Sequence, residues 1–97
     1  MGCVRVRFYL DPETGAPQIG RHGVTEKEVV EAFEKPGEDR RGREGSRVAI
    51  GTTEAGRILR VIYVADAKAD SAFVITAYDL VGSALAAYRR RRRRRGR

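Results

Sequence analysis

His22, the only histidine, is the residue of this chain best suited to proton transfer. Imidazole exchanges protons near neutral pH, and histidine is the side chain used most often as a general acid or base. The segment Arg21-His22-Gly23-Val24 comes just before the expected start of a helix. The positive end of a helix favours the neutral imidazole, which accepts a proton. A structural or exposed loop histidine is the alternative, and the residue type alone favours it.

Arginines and one tyrosine recur on the segments that read as strands. Arg5 and Arg7 alternate with the apolar residues of the first such segment. The other members of the pattern are Arg47, Arg57, Arg60 and Tyr78. On one open face they would hold phosphates through their guanidinium groups and stack an unpaired base on the tyrosine ring, as RNA-binding sheets do. A solvated face of cross-strand arginine–carboxylate pairs is weighed equally with this interpretation.

An arginine run gives the chain its positive charge. The net charge is +7, but residues 89–97 contribute eight arginines and no acidic residue, which leaves 12 basic and 13 acidic residues and a charge of −1 in the remainder. Long-range attraction to polyanions therefore comes from this tail. Its candidate phosphate contacts are Arg89, Arg90, Arg91, Arg92 and Arg93. The alternative is a disordered solubilising tail, or a helix end that cations stabilise.

The sequence offers neither a metal site nor a cofactor motif. One histidine, one cysteine and no carboxylates clustered at ligand spacing do not make a zinc or iron site. The glycines match no dinucleotide-binding or phosphate-binding loop. We therefore predict no metal and no cofactor.

Membrane association and an oxidising compartment are not expected either. No apolar run approaches the about 18 residues that a transmembrane helix needs, and the first residues lack the apolar region of a signal peptide. A lone cysteine cannot form an internal disulfide. We therefore expect a cytoplasmic protein that does not bind membranes.

The elements that must position these residues read as one small α+β domain. A chain of 97 residues is the length of a single domain, and we place it over residues 1–88, with the arginine-rich tail over 89–97. Alternating apolar residues predict a first strand over 4–10. Three further strands, joined by short turns as an antiparallel meander, are predicted over 47–53, 57–64 and 72–78. The segment 57–64 is the most continuously apolar and is expected at the centre of the sheet.

The first helix carries the clearest local signal. Thr25 and Glu28 have the spacing of a capping box, in which each side chain binds the other residue's backbone N–H. Val24 and Val29 stand at the positions of a hydrophobic staple. These signals, and a proline after residue 35, predict a helix over 25–35.

A second helix is predicted to follow Asp79 or Ser83 and to run into the arginine run. Glycines and prolines predict a loop or broken turn over 13–23, and charged residues predict a mobile loop over 36–46. The predicted order is β-α-β-β-β-α, a small antiparallel sheet of about four strands with two helices.

The order of several short motifs resembles one known family. Phe8-Tyr9-Leu10-Asp11-Pro12 is followed, after eight residues, by Arg21-His22-Gly23-Val24-Thr25, and this opening resembles that of BrnT-type toxins. Residues 26–36 resemble the family's acidic helix with its Phe-x-x-Pro-like end. Residues 47–52 and 56–63 look like two of its strands. The resemblance covers residues 6–78.

The resemblance implies a small ribonuclease with a RelE-like fold that is paired with an antitoxin protein from the same operon. Such an enzyme cleaves RNA without a metal, through attack of a ribose 2′-hydroxyl on the adjacent phosphate. It implies His22 as the acid or base, and Arg57 and Arg47 at the phosphate. Tyr78 would stack on a base or donate a proton, and we add Arg21 and Arg60 as candidate RNA contacts.

Two other functions stay open at this stage. One is a non-catalytic nucleic-acid-binding domain of the same fold. The other is an interaction domain whose open sheet face is covered by a protein partner or by a second copy of the chain.

Overall fold

A five-stranded mixed sheet and two α-helices make up the fold of the residues described by the computed structural model, 5–66 and 71–95. The elements in chain order are β1 (Arg5–Phe8), a 3-10 helix (Gln18–His22), α1 (Glu26–Glu34), β2 (Pro36–Arg41), β3 (Arg47–Thr52), β4 (Ile58–Asp66), β5 (Ser71–Asp79) and α2 (Gly82–Arg95). The predicted α+β class and its two helices are confirmed. Residue 4 of the predicted first strand and residues 96–97 of the predicted tail lie outside the described residues.

The sheet has the order β1-β5-β4-β3-β2. β4 lies at its centre, as its continuous apolar run predicts, and β3, β4 and β5 form the predicted antiparallel meander. β1 pairs with β5 in parallel, so the prediction of a purely antiparallel sheet is wrong. A parallel pair needs a long crossover connection between its strands. Here the elements between β1 and β5 in the chain form that connection.

β2 is the fifth strand, and the sequence prediction of a mobile loop over 36–46 is wrong for it. Its residues show no apolar alternation, because it is an edge strand whose side chains make polar contacts rather than filling the core. Glu38 forms an ion pair with Arg91, and Asp39 forms one with Arg47. The proline at the start of the strand costs no ladder hydrogen bond on an edge.

α1 packs on one face of the sheet. Its predicted capping box is present: Glu28 N donates to Thr25 Oγ1 at 3.2 Å, and Thr25 N donates to Glu28 Oε1 at 3.0 Å. Gly51 of β3 lets the helix approach, since a Cβ there would overlap the backbone of Ala32. The core on this face consists of Ile19, Val24, Val29, Ala32, Ala49, Leu59, Val61, Tyr63, Ala72, Val74 and Ala77.

α2 packs on the opposite face, in a smaller apolar cluster. Tyr88 of α2 is buried there with Ile50 and Leu80, and Leu85 and Ile58 pack against them. The helix continues through Arg95, so the predicted division at residue 88 falls inside one helix. No helix of the described segments is long and apolar enough to cross a membrane.

Candidate nucleic-acid interface

His22 ends the 3-10 helix, within the segment predicted as a loop or broken turn. Gly23 follows it with φ at 69°, in the left-handed region that glycine adopts without strain. The 3-10 helix packs against β5, and the exposed His22 ring meets the Tyr78 ring with centroids 5.7 Å apart and planes at 66°. This is the edge-to-face geometry that aromatic pairs favour. The fold therefore brings two of the predicted catalytic residues into contact.

Arg60 extends this pair along the sheet. It stands opposite Tyr78 in the β4–β5 register, so both side chains lie on the face that α2 partly covers. The Arg60 guanidinium carbon lies 6.0 Å from the centroid of the Tyr78 ring, a cation–π contact. Arg60 Nε is buried and has no hydrogen-bond partner among the described residues. We call these three side chains the His22–Tyr78–Arg60 row.

Arg57 lies beside the row but is bound by two carboxylates. Its Nε and Nη2 donate to Asp79 at 2.5 and 2.9 Å, and its Nη1 donates to the two Glu28 oxygens at 2.9 and 3.0 Å. Nη1 also donates to the carbonyl oxygen of Gly23 at 3.0 Å. Arg57 thus holds the neighbours of both His22 and Tyr78, and its charge is neutralised by the protein itself.

The Arg57 network also perturbs the carboxyl groups that form it. The Arg57 guanidinium holds the pKa of Asp79 below its ordinary value. The pKa of Glu28 is lowered first by the backbone N–H of Thr25 and then by Arg57. The hydrogen bonds that Arg57 donates to both carboxylates, first to that of Asp79, raise the pKa of Arg57. All three groups are therefore held in their charged forms.

Arg21 and Arg47, two further sequence candidates, are paired as well. Arg21 binds the buried Asp11, whose pKa is lowered first by the backbone N–H of Glu13 and then by Arg21. Arg47 Nε binds Asp39 at 3.0 Å. Its strand register places Arg47 on the face that α1 covers, two residues before the buried Ala49 and away from Arg60. Neither arginine joins the row.

Asp39 also receives a second donor. The hydroxyl of Tyr63 donates to it at 2.5 Å, and burial, followed by this hydrogen bond, raises the pKa of Tyr63 to about 12. The cluster of Arg47, Asp39 and Tyr63 thus anchors β2 to the sheet. For Arg47, the structure thus shows the cross-strand arginine–carboxylate pair that the sequence analysis weighed against RNA contact.

Arg5 and Arg7 lie on β1 at the far edge of the sheet. Arg7 stands opposite Phe73 of β5, and its guanidinium carbon lies 5.4 Å from the centroid of that ring. Phe73 in turn stands opposite Val64, which shares the Arg60 face of β4. Arg7 is therefore on the same face as the row, although it is several residue positions from Arg60.

A cleft opens between α2 and the sheet, next to the row, and we call it the α2 cleft. Its volume is about 530 Å³. Its cationic residues are Arg40, Arg41, Arg43, Arg60 and Arg91, and its apolar residues are Val48, Ile50, Ile62, Leu80, Ala84 and Ala87. Arg60 belongs to both the row and the cleft. Sequence reasoning missed the first three arginines because it assigned them to a mobile loop, although their clustering before a strand was visible.

The arginines of α2 differ in what they contact. Arg91 binds Glu38 through Nε at 2.5 Å and Nη2 at 3.0 Å, and Arg92 Nη1 donates to the Gly37 carbonyl at 3.3 Å. These two fasten the helix to β2. The exposed arginines of the predicted phosphate contacts are Arg89, Arg90, Arg92 and Arg93.

No group of three metal-binding side chains is present among the residues that the structure describes. Comparison of the chain with protein-family models, with curated proteins and with solved structures gave no match. The row, the cleft and the arginines of α2 are the features of the described residues that bear on function.

Proposed function

We propose that this protein is a small endoribonuclease with a RelE-like fold, related to BrnT-type toxins, that cleaves RNA without a metal ion. The observation that carries the proposal is the contact of the exposed His22 ring with Tyr78, beside the Arg60 guanidinium, which forms no ion pair with a described residue. A proton acceptor, a proton donor such as the Tyr78 hydroxyl, and a cation are the groups that promote cleavage of an RNA phosphodiester. A cytoplasmic location and neutralisation by an antitoxin are part of this proposal.

The proposed reaction is an internal transfer within the RNA. Neutral His22 removes the proton from a ribose 2′-hydroxyl, and the 2′-oxygen attacks the adjacent phosphorus. The bond from phosphorus to the 5′-oxygen breaks, and the Tyr78 hydroxyl donates a proton to that oxygen. The products are a 2′,3′-cyclic phosphate and a free 5′-hydroxyl. Proton exchange with water restores His22 and Tyr78.

Arg60 and Arg57 have different roles in this mechanism. Arg60 stabilises the negative charge that develops on the phosphoryl oxygens, because its guanidinium has no carboxylate partner in the described chain. Arg57 is a positioning residue that fixes the segments carrying His22 and Tyr78 through Gly23 and Asp79. The sequence-based role of Arg57 at the phosphate is thus replaced in the proposal by Arg60.

The test is incubation of the purified protein with total RNA in buffer that contains EDTA, beside His22→Ala. We expect the wild type to cleave and His22→Ala to lose about 100-fold or more of the rate, the usual contribution of a general base. Lys27→Ala, an exposed change on the adjacent helix α1, is the matched control and retains the rate. Because His22 is exposed, its loss changes the free energy of unfolding by about 0.5 kcal/mol or less. Equal cleavage by folded His22→Ala would remove His22 from the mechanism.

A second candidate function is a non-catalytic RNA-binding domain of the same fold. The exposed arginines of α2 and the cleft arginines favour it, because they present positive charge without any need for His22. Intact RNA after incubation with folded, antitoxin-free protein, together with salt-dependent RNA binding, supports this function. Occupation of the open face by an antitoxin or a second copy of the chain would explain intact RNA in a protein that is not monomeric.

A further inference from the structure

We infer that the α2 cleft is a subsite for one unpaired nucleotide of single-stranded RNA. The inference rests on RNA being the ligand of the proposed function, but it does not require that the RNA be cleaved. The cleft adjoins the His22–Tyr78–Arg60 row through Arg60, which belongs to both. A strand whose phosphate lies at the row therefore has its neighbouring nucleotide at the cleft.

The charge of the cleft fits a phosphodiester. No carboxylate lines the cleft among the described residues, and the Glu38 carboxylate binds its lining residue Arg91 and lies 3.6 Å from its lining residue Arg40. The guanidinium groups of Arg43 and Arg60 form no ion pair with a described residue. Guanidinium groups bind phosphate oxygens through paired hydrogen bonds. The rim of the cleft thus has unused donors for the phosphates on either side of a nucleotide.

The floor of the cleft fits a base. Apolar side chains from β3, β4 and α2 line it, and Val48, Ile50 and Ile62 form its sheet side. A volume of about 530 Å³ lies within the range of pockets for small ligands. Arg60 Nε is buried beside this floor and has no hydrogen-bond partner in the part of the chain that the structure describes. A buried donor without a partner is costly. A carbonyl oxygen or ring nitrogen of a base would accept its hydrogen bond.

A peptide fits the same space poorly. β3 and β4, which form the floor of the cleft, are each paired on both sides, and a peptide that added to the free edge of β2 would lie in the plane of the sheet rather than over this floor. The backbone groups of a buried peptide would then lack partners. A base needs few hydrogen bonds and offers a flat ring. The base must also be unpaired, because a paired base would have to leave its helix at the cost of unstacking.

The test measures RNA affinity in a background that cannot cleave. All variants carry His22→Ala, and the probe is a short fluorescein-labelled oligouridylate whose anisotropy reports binding. Ala87→Phe fills the cleft, whereas Ala86→Phe adds the same ring to an exposed position of the same helix outside it. We expect Ala87→Phe to weaken binding about tenfold or more and Ala86→Phe to change it by about twofold or less.

A second, charge-matched pair of variants controls for the possibility that a phenylalanine in α2 disturbs the helix itself. Arg43→Ala removes a cleft arginine from the turn between β2 and β3, and Lys27→Ala removes an exposed cation of α1 that does not line the cleft. Both lower the net charge equally, so a larger loss of affinity in Arg43→Ala supports the subsite. Thermal unfolding identifies variants that do not fold, and the Arg43 pair then decides alone.

Three outcomes would overturn the inference. Equal affinities within each matched pair would show that RNA binds through diffuse charge. Competition by blunt duplex RNA as strong as that by the single strand would exclude an unpaired nucleotide. Displacement of the probe by polyglutamate at lower concentration than by unlabelled oligouridylate would assign the cleft to an acidic protein segment. Cleft-dependent binding by a wild type that leaves RNA intact would instead reject the proposed catalysis and keep the subsite.

Discussion

Arg57 joins three segments of the chain that are distant in sequence. One guanidinium group binds the Gly23 carbonyl at the end of the 3-10 helix, Glu28 in the first turn of α1 and Asp79 at the end of β5. The Arg57 side chain is 26% exposed, so these charge-assisted bonds are only partly screened by solvent. The position of His22 relative to Tyr78 therefore depends on Arg57. Because Glu28 and Asp79 occupy its guanidinium group, Arg57 acts by positioning rather than by binding a phosphate.

Replacement of Arg57 by Gln tests this anchoring at the residue scale. We expect Arg57→Gln to lower the free energy of unfolding by about 2 kcal/mol in urea at pH 7, because two carboxylates lose their cation. The pH dependence has a definite sign. The pKa values of Glu28 and Asp79 are lowered in the fold, so their contribution is present above their ordinary values and is lost as the pH falls through the lowered ones.

The free energy of unfolding of Arg57→Gln should accordingly decrease less than that of the wild type as the pH falls from about 5 to about 2. Arg40→Gln is the matched control, because Arg40 is exposed and lies 3.6 Å from its carboxylate partner. An Arg57→Gln protein as stable as this control, with the same acid profile as the wild type, would contradict the anchoring role.

At the scale of elements, a small apolar cluster and the polar contacts of two arginines attach α2 to the sheet. Seven of its 14 residues are arginines, and neighbouring like charges destabilise a helix. Tyr88 compensates by packing directly over Gly37 of β2, and Arg91 adds its ion pair with Glu38. The absence of a side chain at residue 37 is therefore what allows the arginine helix to lie against the sheet.

A methyl group at residue 37 is expected to loosen α2. The Cβ of Gly37→Ala would overlap the Tyr88 ring, and overpacking of this kind costs about 1–3 kcal/mol. The measurement is unfolding free energy together with helix content from circular dichroism, and both should fall. Gly20→Ala is the matched control, since no atom lies within 4 Å of the Cβ it would add and its φ is not positive. Equal behaviour of the two variants would mean that Tyr88 does not dock the helix.

Local signals account for the elements that the sequence predicts. The capping box of Thr25 and Glu28 acts within three residues. The apolar run of β4 predicts a buried strand whichever elements pack against it. β2 has neither signal, because its stability comes from residues far along the chain: Arg91 is 53 positions from Glu38, and Tyr63 is 24 positions from Asp39. Such pairs follow from the fold and cannot be read from the segment itself.

The candidate site divides in the same way. Residue type and resemblance single out His22, Arg57 and Tyr78 as catalytic residues and Arg60 as a candidate RNA contact. The structure brings His22, Tyr78 and Arg60 together, whereas two carboxylates bind Arg57. The partners of Arg21, Arg47 and Arg57 were not predictable, because each carboxylate comes from a different element. Sequence chemistry thus finds the candidate donors, and only the fold shows which of them are already paired.

For the whole molecule, the fold concentrates positive charge on one side. The chain outside residues 89–97 has a net charge of −1, yet α2 lies over the sheet face that also presents the cleft arginines. Arg91 and Arg92 of α2 bind β2, whereas Arg89, Arg90 and Arg93 are exposed and form no hydrogen bond or ion pair with a described residue. Arg89, Arg90 and Arg93 can therefore bind phosphates while α2 stays docked on β2. Electrostatic attraction of RNA is thus separate from the proposed chemistry at His22.

This separation predicts how salt controls RNA binding. A triple variant with Gln at residues 89, 90 and 93 should weaken binding to all RNA sequences, and the slope of log affinity against log salt should decrease by about 2–3, since each arginine contacts about one phosphate. The variant keeps Arg91 and Arg92, so α2 remains docked, and thermal unfolding verifies this. With saturating RNA, the cleavage rate should stay within about twofold of the wild type, because the row is untouched. An unchanged salt slope would show that the phosphate contacts lie elsewhere, whereas loss of cleavage at saturation would place the arginine helix in the reaction itself.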